Sequence, residues 1–198
     1  MSPRRIVLAI TGASGAVYGE RALELLSQMD DLEVHLTISH AATITLLRER
    51  GRQINLDRFR VCDLIGRDAE NVVYHHYRNL AAPIASGTFR TIGMMIVPCS
   101  MSTAGALAHG IAQNLIHRAA EVCLKERRRL VLVPRETPLS TIHLENLWRL
   151  SQAGAIILPA APGFYHQPRT LEDQVDFIMT KLFDQFEIEI GRIRRWQG

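Results

Sequence analysis

A glycine-rich turn, "TGASG" over residues 11–15, follows an apolar run and precedes a helix-like pattern. Such a turn can place backbone N–H groups and the Ser14 hydroxyl around a phosphate. The spacing of Gly12, Gly15 and Gly19 does not match the G-x-G-x-x-G dinucleotide fingerprint, and no Gly-Lys-Ser/Thr of a Walker A loop follows. The turn therefore predicts a phosphate site of another kind.

The end of the second apolar run narrows the choice of ligand. A nicotinamide-binding fold usually has Asp or Glu there, which holds the ribose hydroxyls. This chain has Ser39, followed by His40. A serine cannot accept two hydroxyl hydrogen bonds as a carboxylate does, but it can donate one to a phosphate oxygen. A nicotinamide-dependent dehydrogenase is therefore disfavoured.

Further hydroxyl groups follow a third apolar run, at Ser100, Ser102 and Thr103. Together with Ser14 and Ser39 they predict a hydroxyl-lined cradle for one phosphate monoester, such as that of FMN. Each residue could instead only cap its helix. Five such residues at one sheet edge favour binding, and a capping residue can also bind a phosphate.

Short apolar runs rich in Val and Ile predict the strands that position these residues: 5–10, 33–38, 93–98, 129–134 and 155–159. Runs that are apolar on both faces are typical of parallel strands covered by helices. Helical periodicity is found over 16–29, 103–127, 140–152 and 171–186. We predict a single α/β domain over residues 1–198, a doubly wound Rossmann-like (flavodoxin-like) fold with a mostly parallel sheet. Its ligands should bind at the carboxyl ends of the strands.

Composition excludes several classes of protein. The 198 residues are 47% hydrophobic and carry a net charge of +3, with one dense basic run at 125–129 that we interpret as a solvated helix end. No apolar segment is long enough to span a membrane. The three cysteines are widely spaced, so neither a zinc site nor a disulfide framework is indicated. We expect a cytoplasmic protein with no metal, nucleic-acid or membrane partner.

Longer motifs resemble one family over nearly the whole chain. These are "TGASGAVYG", "SHAA", "ASGTFRTIGMMIVPCSMST", "RAAEVCLKERRRLVLVPRETPLSTIHLENL" and "PAAPGFYHQP". They resemble the flavin prenyltransferases of the UbiX type, including relatives described as subunits of aromatic-acid decarboxylases. The resemblance implies that reduced FMN takes a dimethylallyl group from dimethylallyl phosphate, phosphate leaves, and a fourth ring closes on the flavin. It also implies a metal-free reaction, a homododecamer, and transfer of the prenylated FMN to a UbiD-type decarboxylase.

The resemblance also implies roles for individual residues. Catalytic roles fall on Ser14, Glu49, Lys125 and Glu136, where a carboxylate takes a flavin proton through Ser14. FMN contacts fall on Gly12, Ala13, Ser14, Ser39, Ser100, Met101, Ser102, Thr103, Arg118 and Arg135. Contacts to the prenyl phosphate fall on Lys125, Arg135, Glu136, Tyr165 and Lys181, because a leaving phosphate needs positive charge and hydrogen-bond donors. Residues 187–198 are predicted to form a C-terminal tail that packs on a neighbouring subunit.

Two positions depart from the family pattern. Lys181 stands where many members have an arginine, which keeps the charge but loses bidentate geometry. Leu80 stands where some members have a tryptophan suited to an allylic cation. Either Tyr77 replaces that aromatic ring or this subgroup lacks one. His166, beside Tyr165, either tunes the site or is structural.

The alternative function is an FMN-binding carrier or accessory subunit of an aromatic-acid decarboxylase, without chemistry of its own. The charged residues of "LKERR" and "VPRE" count against it, because a carrier needs no second phosphate site. Oxidative decarboxylation of a thiol is disfavoured, because the first helix has Val17, Tyr18 and Gly19 rather than a histidine. Whether the prenyl donor is a monophosphate or a diphosphate, and which decarboxylase is served, stay open.

Overall fold

The structure, a computed structural model, describes residues 4–192, in which strands and helices alternate. Its strands are β1 Arg4–Ile10, β2 Leu32–Ile38, β3 Val72–Tyr74, β4 Gly93–Cys99, β5 Arg129–Pro134 and β6 Ile156–Ile157. All neighbouring strands are parallel, in the order β3-β2-β1-β4-β5-β6. This is the strand order of Rossmann folds, and it confirms the predicted doubly wound α/β architecture.

The helices of this part of the chain are α1 Ala16–Leu26, α2 His40–Arg50, α3 Val61–Ile65, α4 Met101–Ala108, α5 Leu115–Lys125, α6 Thr141–Gln152 and α7 Leu171–Asp184. The periodic stretch 103–127 is two helices rather than one. Gly110, with φ of 66°, follows the end of α4, and the side chain of Asn114 accepts a hydrogen bond from the His117 N–H to cap α5. A left-handed glycine and a new N-cap together end one helix and start the next.

The strands are apolar on both faces because helices cover both sides of the sheet. In β1, Ile6, Leu8 and Ile10 pack with α1 and α7 on one face. Val7 and Ala9 pack with α4, α5 and α6 on the other face. This alternation is why the sequence of β1 reads as a continuous apolar run.

The position of α1 depends on a close contact with β4. A Cβ atom at Gly19 would lie 2.7 Å from the carbonyl oxygen of Val97, so only a glycine lets α1 approach the strand this closely. The amino end of α1 is therefore held beside the carboxyl ends of β1 and β4.

Part of the predicted C-terminal tail lies outside the described residues, because the structure describes the chain only as far as residue 192. Within the described part of the tail, Ile188 is buried in the core. Both the packing of the tail on another subunit and the single domain over residues 1–198 stay predictions.

A buried pair of histidines links β2 to the end of β3. His35 Nε2 lies 2.7 Å from Glu33 Oε1, and His35 Nδ1 lies 2.9 Å from His75 Nε2. The carboxylate can only accept, so His35 donates to Glu33 and accepts from His75. Burial lowers the pKa of both histidines, and that of His75 falls to about 4.

We expect this pair to make the free energy of unfolding fall as the pH falls from about 6.5 to about 4. Over that range the unfolded chain binds protons that the neutral, buried imidazoles do not bind. The contribution of His75 is on the order of 2–3 kcal/mol. Urea unfolding at pH 7, 6 and 5 measures it. His75→Gln should flatten this dependence, whereas His109→Gln, at an exposed histidine, should not; an equally steep dependence in His75→Gln would contradict the assignment.

Candidate active site

The carboxyl ends of β1 and β4 define the crevice where a Rossmann fold binds its ligand. These neighbouring strands lead to α1 and α4, which cover opposite faces of the sheet. Thr11 joins the two strand ends, because its Oγ1 donates to the Pro98 carbonyl at 2.8 Å and accepts from the Ser100 N–H at 2.8 Å. Thr11 is not among the predicted site residues, although its position directly after β1 indicates a place at this edge of the sheet.

Two predicted FMN ligands cap the helices at this edge. Ser39 Oγ accepts a hydrogen bond from the Ala42 N–H at 3.1 Å and caps α2. Ser100 Oγ accepts from the Thr103 N–H at 3.3 Å and caps α4. Ser100 Oγ also lies 3.2 Å from Ser102 Oγ and 3.0 Å from Thr103 Oγ1. Three of the five predicted hydroxyls are thus grouped at the amino end of α4, where the helix dipole favours a bound anion.

Gly12 lets the turn after β1 pack directly on α2. A Cβ atom at Gly12 would lie 2.5 Å from Ala41 Cβ and 3.0 Å from the Ala41 carbonyl carbon. Thr45 Oγ1 also donates to the Gly12 carbonyl at 3.3 Å. Because Gly12 has no side chain, the turn can lie this close to the amino end of α2.

Gly12→Ala is expected to lower the free energy of unfolding by about 1–3 kcal/mol and to weaken FMN binding. The added methyl must push the turn away from α2 and so widen the crevice. Thermal unfolding and flavin fluorescence titration measure the two effects. Ala41→Gly in the same chain removes the nearest atom and should restore part of the FMN affinity; a Gly12→Ala protein with normal affinity would contradict this account.

Glu49 reaches from the last turn of α2 to the amino end of α1. Its Oε2 accepts hydrogen bonds from the Gly15 N–H at 2.9 Å and the Ala16 N–H at 2.8 Å. Gly15, the N-cap residue, has φ of 100° and no side chain, so Glu49 supplies the cap from a different helix. The carboxylate therefore fills the anion-binding position of α1 and leaves the N-termini of α2 and α4 for a ligand phosphate.

The charge of Glu49 follows from its surroundings. Burial raises the pKa of this carboxyl, but hydrogen bonds from Ser14, Ala16 and Gly15 and the charge of Arg135 outweigh burial and lower it. Glu49 is therefore ionised at neutral pH. The sequence around Glu49 reads as a plain surface helix, and only the fold shows that it lies beside Ser14.

Arg135 comes to the same place from the end of β5. Its Nε donates to the Ser14 carbonyl at 2.9 Å. Burial raises the pKa of the nearby Tyr18, and the charge of Arg135 partly opposes this rise. The structure thus brings Ser14, Glu49 and Arg135 together, while the exposed Glu136 follows Arg135 and accepts from the Thr137 N–H at 3.1 Å.

Arg118 and Lys125 are not brought to this group within one chain. Lys125 ends α5 just before β5 begins, so it lies at the amino edge of the sheet, where it pairs with Glu126. Arg118 Nε donates to the Ala85 carbonyl at 3.2 Å, and Arg118 also pairs with Glu121 at 2.9 Å. The expectation that Lys125 and Ser14 belong to one site is therefore not met by a single chain.

Tyr165 lies against α7, the helix that carries Lys181. The Tyr165 ring lies 5.7 Å from the Phe177 ring in an edge-to-face contact at 77°. Lys181 lies one turn further along α7, on the same face as Phe177. Arg21 on α1 forms a bidentate pair with Asp176 at 2.8 and 2.9 Å, which fixes α7 against α1.

The residues at the crevice fit a phosphate-bearing flavin. Helix N-termini and hydroxyls suit its phosphate, and Arg135 adds positive charge beside the turn that carries Ser14. Within residues 4–192, no three His, Cys, Asp or Glu side chains are grouped to hold a metal ion. None of the helices described combines the length and apolar character needed to cross a membrane.

A Rossmann sheet with an anion-binding crevice and no carboxylate at the end of β2 defines a flavoprotein-type α/β domain. The profile of the Flavoprotein family matches residues 1–183 of this chain. The flavin prenyltransferase UbiX of Pseudomonas aeruginosa is 46% identical over 199 residues, which cover 98% of this chain and 94% of that protein. The chain therefore belongs to the UbiX-type flavin prenyltransferases of this family, as the motifs indicate.

Two solved structures have the same fold at high similarity. AnUbiX (PadA1), in complex with FMN and dimethylallyl pyrophosphate, has a TM-score of 0.88 and 42% identity, covering 99% of this chain and 98% of that chain. A dodecameric FMN-dependent UbiX-like decarboxylase from Escherichia coli O157:H7 has a TM-score of 0.88 and 42% identity, covering 98% of this chain and 100% of that chain.

Proposed function

We propose that this protein transfers a dimethylallyl group from dimethylallyl phosphate to reduced FMN and so makes prenylated FMN. The observation that carries the proposal is the group at the amino end of α1. There an ionised Glu49 is held by the Gly15 and Ala16 N–H groups beside Ser14, with Arg135 bonded to the same turn. A carrier would need only the phosphate cradle, whereas this group places a base and a cation beside the same turn.

The N-termini of α2 and α4 would hold the FMN phosphate, through Ser39 and through Ser100, Ser102 and Thr103. Because Glu49 already occupies the N-terminus of α1, the turn 12–15 is left for the ring system. Gly12, Ala13 and Met101 would contact the flavin through backbone and apolar atoms. When bound, reduced FMN supplies the nucleophilic ring atoms that accept the prenyl group.

Ser14 and Glu49 would move the proton that ring closure releases. The Ser14 hydroxyl hydrogen-bonds to the Glu49 carboxylate. It can therefore take a proton from a ligand in the crevice while passing its own to Glu49. Glu136 is the second carboxylate that could accept a proton, and its exposed position lies directly after Arg135.

Positive charge would stabilise the phosphate that leaves the prenyl donor. Tyr165 contacts Phe177 of α7, the helix that also carries Lys181, and Arg135 lies at the crevice. Lys181 acts as a point charge rather than a bidentate clamp. A hydrogen-bond donor or a cation at this place stabilises the transition state most, because negative charge develops there on the leaving oxygen.

A homo-oligomer, and specifically a dodecamer as in the E. coli O157:H7 relative, would complete the site. Helix α5 of one subunit, with Arg118 in its first turn and Lys125 at the amino edge of the sheet, would lie at the crevice of another. This arrangement reconciles the motif positions of Arg118 and Lys125 with their separation from Ser14 within one chain. We further propose a cytoplasmic location and a UbiD-type decarboxylase that receives the prenylated FMN.

Anaerobic incubation with reduced FMN and dimethylallyl phosphate tests the proposed function, with mass analysis of the extracted flavin. A gain of one five-carbon prenyl unit supports the transferase. A parallel reaction with dimethylallyl diphosphate decides the donor. If FMN is bound but never alkylated with either donor, the protein is a flavin carrier. Where the wild-type protein does alkylate FMN, Glu136→Ala should remove the turnover, whereas in a carrier the same change would cost at most some affinity for FMN.

A further inference from the structure

His166 has two ring nitrogens that are shielded from solvent and hydrogen-bond to no other group within residues 4–192. Its ring stacks on Phe177, with centroids 5.0 Å apart and planes at 18°. On another side it meets the ring of Tyr165 edge-to-face, at 6.0 Å and 78°. Neither aromatic neighbour gives the imidazole nitrogens a conventional hydrogen-bond partner.

A polar group in this state is uncommon, because shielding it from water without a partner costs free energy. A phenyl ring at position 166 could make the same stacked contact without that cost. Packing therefore does not explain why this residue is a histidine. A hydrogen-bond partner from outside the free chain does explain it.

The loop that carries His166 is held mainly by apolar contacts. A Cβ atom at Gly163 would lie 3.0 Å from Phe177 and 3.1 Å from Tyr165, so the loop is folded tightly on these rings. The Gln167 N–H donates to the Phe164 carbonyl, and Gln167 has φ of 55°, an unfavourable value for a residue with a side chain. Release of the His166 ring breaks no hydrogen bond of its own, because neither ring nitrogen has a partner within the described residues.

The charges around His166 favour an anionic partner. Lys181 lies one turn beyond Phe177 on the same face of α7. The carboxylate of Asp173 is already bonded to the Arg169 and Thr170 N–H groups, so it does not take a ring N–H of His166. An imidazole N–H can donate a hydrogen bond to a phosphate oxygen.

We propose that His166 donates a hydrogen bond to the phosphate of the prenyl donor, beside Tyr165, once the loop 162–168 releases its ring from Phe177. This rests on the proposed function, because it places the donor phosphate next to Tyr165. A phosphate oxygen then supplies the partner that the ring N–H lacks.

His166→Phe and His166→Gln test the proposal in the full-length protein. Phenylalanine keeps the stacked ring and removes both nitrogens, while glutamine restores an N–H donor without the ring. For His166→Phe we expect the KM for dimethylallyl phosphate to rise at least about tenfold, as for loss of a charged hydrogen bond. The affinity for FMN should stay unchanged, and the melting temperature should stay equal or rise, because an unpartnered polar group has been removed. His166→Gln should recover most of the KM.

Each other outcome also decides the matter. A His166→Phe protein with an unchanged KM overturns the proposal. So does an equal loss in both variants with a lower melting temperature, because that result assigns His166 to packing. If the wild-type protein makes no prenylated FMN, the proposed function fails separately. Calorimetric titration of the FMN-loaded protein with inorganic phosphate then still decides, since His166→Phe must bind phosphate more weakly than wild type if His166 is a ligand.

Discussion

Glu49→Gln is expected to slow formation of prenylated FMN by about 10²–10⁴-fold, the range of a lost general base, while FMN still binds. A glutamine with its carbonyl oxygen in the place of Glu49 Oε2 can still accept from the Gly15 and Ala16 N–H groups, but it loses the negative charge that favours the amino end of α1. It cannot take the proton that Ser14 passes on. Single-turnover absorbance changes, with mass analysis of the flavin, measure the rate.

The control must separate lost chemistry from a lost helix cap. Removing a cap costs about 1 kcal/mol of stability, so a small fall in melting temperature is expected as well. Glu145→Gln removes an exposed glutamate that pairs with Arg149 on α6 and should leave the rate unchanged. If Glu49→Gln keeps the wild-type rate, Glu49 is only a cap, and Glu136 becomes the base.

Ser14→Ala provides an independent check on the same relay. If Ser14 and Glu49 act as one unit, the double variant Ser14→Ala/Glu49→Gln should be no slower than the slower single variant. Additive losses would mean that the two side chains serve separate steps, and the relay through Ser14 would then be wrong.

The sheet could be predicted from the sequence because its strands are buried on both faces and read as continuous apolar runs. β1, β2, β4 and β5 were found within a residue or two of their ends. β3 was missed because three residues carry no periodic signal. β6, predicted over 155–159, has only Ile156 and Ile157, and Gly110 divides the predicted helix 103–127.

The site was less accessible to sequence reasoning because its key contact joins distant positions. Glu49 meets Gly15 across 34 residues of sequence, and no local pattern indicates that α2 delivers a carboxylate to the start of α1. The location of Lys125, in contrast, can be deduced from the order of the helices and strands along the chain. A helix that ends immediately before a parallel strand ends at the amino edge of the sheet. In the motif Lys125 and Arg135 are close in sequence, although they lie at the amino edge and the carboxyl edge of the sheet.

Ser14 and Lys125 lie at opposite edges of the sheet in one chain. We therefore expect two inactive variants, one changed at each residue, to complement each other in a mixed oligomer. Ser14→Ala and Lys125→Ala are each expected to lower the rate at least about 10²-fold, the loss for one group that stabilises charge in the transition state. If Lys125 serves the crevice of a neighbouring subunit, a mixed oligomer contains sites in which both residues are intact. Random mixing in equal amounts should restore about one quarter of the wild-type rate through such head-to-tail contacts.

Co-expression of the two variants with different affinity tags, followed by purification over both tags, yields the mixed oligomers for the assay. The matched control mixes Ser14→Ala with Glu49→Gln. These two side chains meet within one chain, so every site lacks one of them and no activity should return. Recovery in the first mixture but not in the second requires that two chains build one site. Without recovery in either mixture, Lys125 does not act across subunits, and its place in the site must be abandoned because a single chain holds it at the other edge of the sheet.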